Sequence, residues 1–373
     1  MAHGDSRNLD YLRSVAVLAV AASHFYGLAG GPRFKLVAHN LGVGGVCFFF
    51  VHTCLVLFAS MNRSRSPRLA ASFYIRRAFR IFPLCWVCIV LVLATGWTDN
   101  PNATLAALGW RGLAVNLMLI QNMIRFPSVV GPLLSLPWEV QMYLVLPALY
   151  LILNKSRRPL AMSIGLWCCF TALAIAVTAF HLPRAFDAAV IPPMFLGGVV
   201  AYHLGRTVLP SIPSVAWLPL VPALLGLRCF LLEGDSIEST HNGAVNASVC
   251  LLLGLAIPLF KEMSGSFLPG AARSLAKYSY GIYLFHVPVL VAVFRYCGSF
   301  PLAAKACIFV AVTAAASIAG YRTIEHPLIK AGRLLADRLD SVASKEKIEC
   351  GVNWQAEALA PVQAPTTFES SSS

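Results

Sequence analysis

LDYLRSVAVLAVAASHFYGLAG, residues 9–30, is an apolar run long enough to cross a membrane as a helix. It also carries Arg13 and His24. A charged side chain at membrane depth costs about 2.5–3.5 kcal/mol on insertion scales, so such a residue marks function by default. At about 100° per residue, the separation of the two returns to within about 20° of the starting direction, about 16 Å further along the axis. Both side chains therefore share one helix face. Taken alone, Arg13 suits snorkelling to the headgroups, and His24 suits a hydrogen-bonded core position. The run also has features of a secretory signal, with Ala19-Val20-Ala21 as an A-x-A site. The further spans that follow weigh against that reading.

Working outward, the 373 residues are 58% hydrophobic and 12% charged, with a mean hydropathy of +0.70. Soluble domains are about 25% charged, so this composition belongs to an all-α, polytopic membrane bundle. A single integral domain over 1–339 is expected, followed by a polar, Ser-rich, disordered tail over 340–373. The net charge of +13 does not point to nucleic acid, because the basic residues sit in short segments between apolar runs. Eleven cysteines are scattered mostly through the spans. Cys85 and Cys88 form a C-x-x-C inside an apolar run with no second pair at zinc spacing, so neither a metal nor a disulfide is expected.

Hydropathy places ten spans at about 9–30, 40–60, 81–97, 135–153, 160–180, 188–204, 214–232, 243–260, 278–294 and 301–321. Arg63, Arg65, Arg68, Arg76, Arg77 and Arg80 form a loop of one sign, read as cytoplasmic. Residues 103–134 are apolar but interrupted by Arg111, Asn116, Gln121, Asn122 and Arg125. If they cross, the basic loop NKSRRP at 154–159 lands outside. A re-entrant or interfacial segment keeps it inside and is the reading adopted here. Residues 181–187 then form an outer turn and EGDSIESTHNG at 233–243 an outer acidic loop. Both termini fall in the cytoplasm. Asn102-Ala103-Thr104 matches a glycosylation acceptor too weakly to use.

Four stretches carry candidate chemistry. SLPWE at 135–139 opens the fourth span, with Glu139 and Tyr143 one turn apart on one face. Glu139 suits either a helix-dipole role in a first turn or a carboxylate aimed into a cavity, where it would orient His24 or hold a hydroxyl. YSYGIYLFHVPVL brings His286, Tyr280 and Tyr283 into the ninth span, as an aromatic belt with a core histidine or as site residues. Glu325-His326-Pro327 closes the tenth span, where Glu325 suits a structural pair with nearby arginines. His52 is a further intramembrane histidine. There is no nucleophile elbow, P-loop or dinucleotide fingerprint.

Together these pieces resemble the acyltransferase-3 family of integral membrane acyltransferases, which includes bacterial O-antigen (lipopolysaccharide) and exopolysaccharide O-acetyltransferases. Arg13 and His24 match its Arg–ten residues–His opening. FYIRRAFRIFP at 73–83 resembles its basic entry to the third span. SLPWEVQMYLVLP at 135–147 is similar to its S-x-x-x-E…Y-L-x-x-P segment, including Glu139 and Tyr143. YSYGIYLFHVPV at 278–289 resembles its penultimate helix, including His286, and IEHP at 324–327 its close. One departure stands out: in FFFVHTCLVLF at 48–58, His52 and Thr53 replace a usual Ser-Gly pair, which bears on close helix packing and on selectivity. The soluble hydrolase-like domain of some members is not expected here.

The resemblance implies an O-acyltransferase of the cell's inner membrane. The donor would be cytoplasmic acyl-CoA, most simply acetyl-CoA, and the acceptor a carbohydrate hydroxyl at the outer face. Arg76, Arg77 and Arg80 are the candidates for the coenzyme phosphates, although arginines at such a position also set topology alone. His24 is the candidate general base, Arg13 and Glu139 complete the catalytic set, and Tyr143 and His286 bind substrate. No covalent nucleophile stands out, so direct transfer is expected. The partners are the bilayer, the donor and the acceptor, with a homo-oligomer left open. A transporter or flippase using His, Arg and Glu as a proton relay is the alternative; it predicts inverted repeats, and none is evident.

Overall fold

The structure, a computed structural model, describes residues 6–180, 189–232 and 240–358 apart from residues 31, 65 and 67. Position 65 of the arginine cluster, the turn at 181–187 and residues 233–239 of the acidic loop therefore lie outside the described residues. Among those described, every element is helical, and an isolated bridge pairs Ile212 with Phe260. Among the described residues, nine helical stretches are long and apolar enough to cross a membrane.

The first span becomes α1, Arg7–Ala29, started by Ser6, whose hydroxyl accepts from the Leu9 amide at 3.3 Å. It packs against α2 (Pro32–Arg63) on one side and α11 (Phe267–Tyr296) on the other. These three helices form the centre. α2 carries α8 (Pro192–Leu204), and α8 in turn carries α7 (Pro159–Ala179) and α10 (Thr240–Ala256). α9 (Trp217–Leu231) rests on α2, α12 (Leu302–Gly320) on α11, and α3 (Leu69–Thr95) on α13 (His326–Ala358).

The sixth expected span is the one that differs. α8 has 13 residues, about 20 Å at 1.5 Å per residue, against a hydrocarbon core about 30 Å thick. It is buried continuously from Pro193 to His203. Its Gly-Gly pair explains the enclosure. A Cβ on Gly197 would stand 2.5 Å from the Cys250 carbonyl oxygen, and one on Gly198 would strike the Val51 carbonyl. Small residues let three backbones close on each other where lipid offers no hydrophobic drive. Gly198→Val is thus expected to cost at least about 1–3 kcal/mol through overpacking. A lowered melting temperature in detergent would show it, and a parent-like melt would show that α8 has room.

Three boundaries also shift. α3 starts at Leu69, so Arg76, Arg77 and Arg80 stand on a helix and not in a loop. Residues 69–82 hold neither Gly nor Pro, and nothing stops the helix from forming ahead of the apolar run. At the other end, α12 does not close at Glu325-His326-Pro327. A π-turn, Tyr321–Glu325, joins it to α13, and Pro327 follows just past that turn. α13 then runs to Ala358, into the segment that composition assigns to a tail.

Residues 103–134 are broken, as a re-entrant or interfacial segment requires. α4 (Leu105–Met118) is interrupted at Gly109, whose φ is 59°, and a four-residue α5 (Gln121–Ile124) follows. The polar residues that interrupt the apolar pattern satisfy this irregular backbone. Asn116 donates to the carbonyls of Gly112 and Pro127 and accepts from the Val129 amide. Gln121 donates to the Leu133 carbonyl at 2.7 Å. Asn122 and Gln141 bond each other reciprocally. Thr98 and Asn100 clamp the same loop through the carbonyls of Val129 and Ser128. Non-helical backbone at depth persists only where it is satisfied inside the protein or lines a cavity, and here it does both.

Candidate active site

Two cavities meet in the centre of the bundle. The larger, about 1840 Å³ and open, is lined by His24 together with Asp99, Trp138 and Gln141. The smaller, about 60 Å³, is walled by Arg13, Arg80, Glu139, Tyr143 and Ser279. Val46, Phe50, Ser135 and Tyr283 belong to both walls and form the partition. The shared face read for Arg13 and His24 therefore does point inward, but each residue serves its own compartment.

The small chamber is built by five helices. From α1, Arg13 donates through Nε to the Ser279 hydroxyl on α11 at 2.6 Å. The Ser279 hydroxyl in turn donates to the Ala276 carbonyl at 2.8 Å. From α6 (Leu136–Lys155), the Glu139 Oε1 accepts from the Tyr143 hydroxyl one turn on, and from Thr53 Oγ1 of α2 at 3.1 Å. The carboxylate is thus drawn sideways by two hydroxyls. Glu139 stands in the first turn of α6, as the helix-dipole reading has it, and its hydrogen bonds go to these two hydroxyls and not to His24, which stands in the other compartment. Thr53, noted in the sequence only as a departure, is one of its two donors. From α3, Arg80 reaches Glu325 at 3.9 Å, with the Glu325 side chain fully enclosed. The structural pairing read for Glu325 is present.

The polar half of the partition is a hydroxyl chain. Tyr283 donates to the Pro132 carbonyl at 2.5 Å, which leaves its oxygen to accept from Ser135. Ser135 stands at the N-cap of α6, yet makes no capping bond, because its hydroxyl is turned to Tyr283. The start of α6, the loop before it and α11 are thereby fastened at one point.

In the larger cavity, the His24 ring lies edge-on to His286, with centroids 5.0 Å apart. His286 is fully buried behind the His24 ring and lines neither cavity. Its Nδ1 lies 2.8 Å from the Tyr283 carbonyl oxygen and 3.0 Å from that of Ile282. Those acceptors assign the proton to Nδ1. Asp99 is the residue that the sequence did not flag. Its Oδ1 accepts from the Gly131 amide at 3.0 Å. A Cβ at Gly131 would stand 2.6 Å from Asp99 Oδ2 and 3.3 Å from His24 Cε1, so glycine lets the carboxylate and the imidazole share one corner.

The three arginines of α3 part company. Arg76 is taken by α13, at 3.0 Å from Asp337 and 3.9 Å from Asp340. Asp340 also accepts from Ser66 and Ser72. Arg80 faces the small chamber, and Arg77 lies between them in sequence, half-buried. His52 is buried beside the chamber-lining Thr53 but is on neither wall. Among the described residues no group of three His, Cys, Asp or Glu is placed to hold a metal ion.

The peptidoglycan O-acetyltransferase OatA of Listeria monocytogenes is 26% identical over 368 residues, 87% of this chain and 56% of that protein. The chain thus spans about half the length of the curated relative that it matches. No solved structure matches the chain. A family model described as an acyltransferase domain matches residues 6–322, which takes in every residue of both cavity walls, and the chain belongs to that family, the acyltransferase-3 membrane acyltransferases.

Proposed function

We propose that this chain moves an acetyl group from cytoplasmic acetyl-CoA to a hydroxyl of a cell-surface or lipid-linked carbohydrate on the outer side of the inner membrane. The observation that carries the reading is the pair of cavities joined at one partition. His24 stands on the open side, and a chamber lined by Arg13, Arg80 and Glu139 lies on the other. Both termini lie in the cytoplasm in this reading, with the basic segments, and the short α8 completes the tenth crossing inside the protein. The polyanionic coenzyme docks at Arg77 and Arg80. Arg76 joins them by exchanging its α13 carboxylates for phosphate, since guanidinium binds either in a fork.

The acyl carbonyl enters the small chamber, where Arg13 offers N–H donors to its oxygen and favours the charge that develops there. The acceptor occupies the open cavity with its hydroxyl on His24. Neutral His24 takes the hydroxyl proton as the oxygen attacks the thioester carbon. The carbon–sulfur bond breaks, and the coenzyme thiolate leaves with the proton that His24 returns. For the two substrates to meet, the Ser135–Tyr283 partition must open. Glycan of peptidoglycan type is one acceptor class, suggested by the relative's name.

The test supplies acetyl-labelled acetyl-CoA to one face of proteoliposomes and lipid-linked glycan to the other. Label is expected in the glycan as an ester. Counterflow of unmodified glycan without label would replace this reading with transport.

A further inference from the structure

The small chamber sets the length of the acyl group, and we propose that Thr53 is the residue that does so. The inference rests on the assignment of that chamber to the donor acyl group. About 60 Å³ is available, room for about two to four water-sized groups. An acetyl group has three heavy atoms and fits, whereas a butyryl chain has five. The chamber's apolar side is made of rigid parts, including Phe49, Phe50 and Ile81, on helices packed into the core. Its charged side is fixed by the bonds of Arg13 and Glu139.

Thr53 belongs to both sides. Its hydroxyl donates to Glu139 at 3.1 Å, and that bond selects one χ1 of a β-branched side chain and so fixes its methyl group as well. A residue at this position with a smaller side chain returns volume to the chamber. One without the hydroxyl releases one of the two donors that hold Glu139. The two effects separate by substitution. Thr53→Val keeps the volume and loses the bond. Thr53→Ser keeps the bond and loses the methyl. Thr53→Ala loses both.

The experiment measures acyl transfer from acetyl-CoA and butyryl-CoA by the full chain in proteoliposomes, and reports the butyryl-to-acetyl ratio. One methylene in an apolar pocket discriminates by about 10–200-fold. The parent is expected to prefer acetyl, and Thr53→Ala and Thr53→Ser are expected to raise the ratio by about tenfold or more. Thr53→Val is expected to slow both donors alike and to leave the ratio where it was. Acetyl transfer with an unchanged ratio in Thr53→Ala, or a ratio in Thr53→Val that moves with that of Thr53→Ala, would overturn the role of Thr53 alone. A parent chain that transfers from neither donor would remove the donor-chamber reading and this inference with it.

Discussion

His24→Ala is expected to lower the rate of acetyl transfer by about 10²–10⁴-fold, the contribution of a positioned general base. The geometry supports an effect on chemistry and not on folding. The imidazole stands on the wall of an open cavity, and its neighbour is the edge of the His286 ring. Removing it empties no sealed core and leaves α1 with its Leu12, Ala16 and Val20 contacts intact. The variant should insert and melt like the parent. Because the cavity is open, free imidazole in the assay should enter the vacated corner beside Asp99 and restore part of the rate. A purely structural histidine would show no such rescue. Transfer at the parent rate in His24→Ala would refute the base role.

That corner also shows how far the sequence could be read. Arg13, His24, Glu139 and Tyr143 were legible because each pair lies on one helix, and a helix converts spacing into direction. The interruptions of 103–134 were legible for a related reason: asparagine and glutamine in an apolar run need a purpose, and satisfying bent backbone is one. Their partners were not legible. Asp99 meets His24 only because a loop folded from residues 126–134 places Gly131 between them. Ser279 meets Arg13 across 266 positions of sequence. No period in the chain encodes such a contact.

The enclosure of α8 escaped for another reason. PPMFLGGVVAYHL has the composition of a lipid-facing span, and only the packing of its glycines on α2 and α10 shows that it is surrounded by protein. Direction on the helix was also no guide to depth. Arg13 and His24 share a face, yet the Ser135–Tyr283 chain assigns them to different compartments. This division gives the two residues separable roles, one toward the donor and the other toward the acceptor.

Glu139→Gln is expected to lower transfer by at least about 10²-fold, and it tests the donor side of that division. Glutamine keeps a carbonyl oxygen for the Tyr143 and Thr53 hydroxyls, so the neutral hydrogen bonds survive while the charge goes. What changes is the electrostatic balance of the chamber. Arg80 retains Glu325 at 3.9 Å, but the bond of Arg13 is to the neutral Ser279 hydroxyl. Glu139 is then the carboxylate that shares a wall with it. Arg13 and Glu139 are both half-buried and not within ion-pair distance, so the relevant scale is that of a group placed beside a developing oxyanion, about 2.7–4 kcal/mol when it is lost. At about 1.4 kcal/mol per factor of ten, that is two to three decades in rate if the loss falls on the transition state. Glu139→Asp keeps the charge but withdraws it by one methylene from both hydroxyls. It should therefore lie between Glu139→Gln and the parent. Initial rates in proteoliposomes, with thermal melting of the same preparations in detergent, separate the two losses. A lower melting temperature with an unchanged rate would make the carboxylate a structural counter-ion. An unchanged rate and an unchanged melt would mean that its charge does nothing in the chamber, and the assignment of that chamber to the thioester would fall with it.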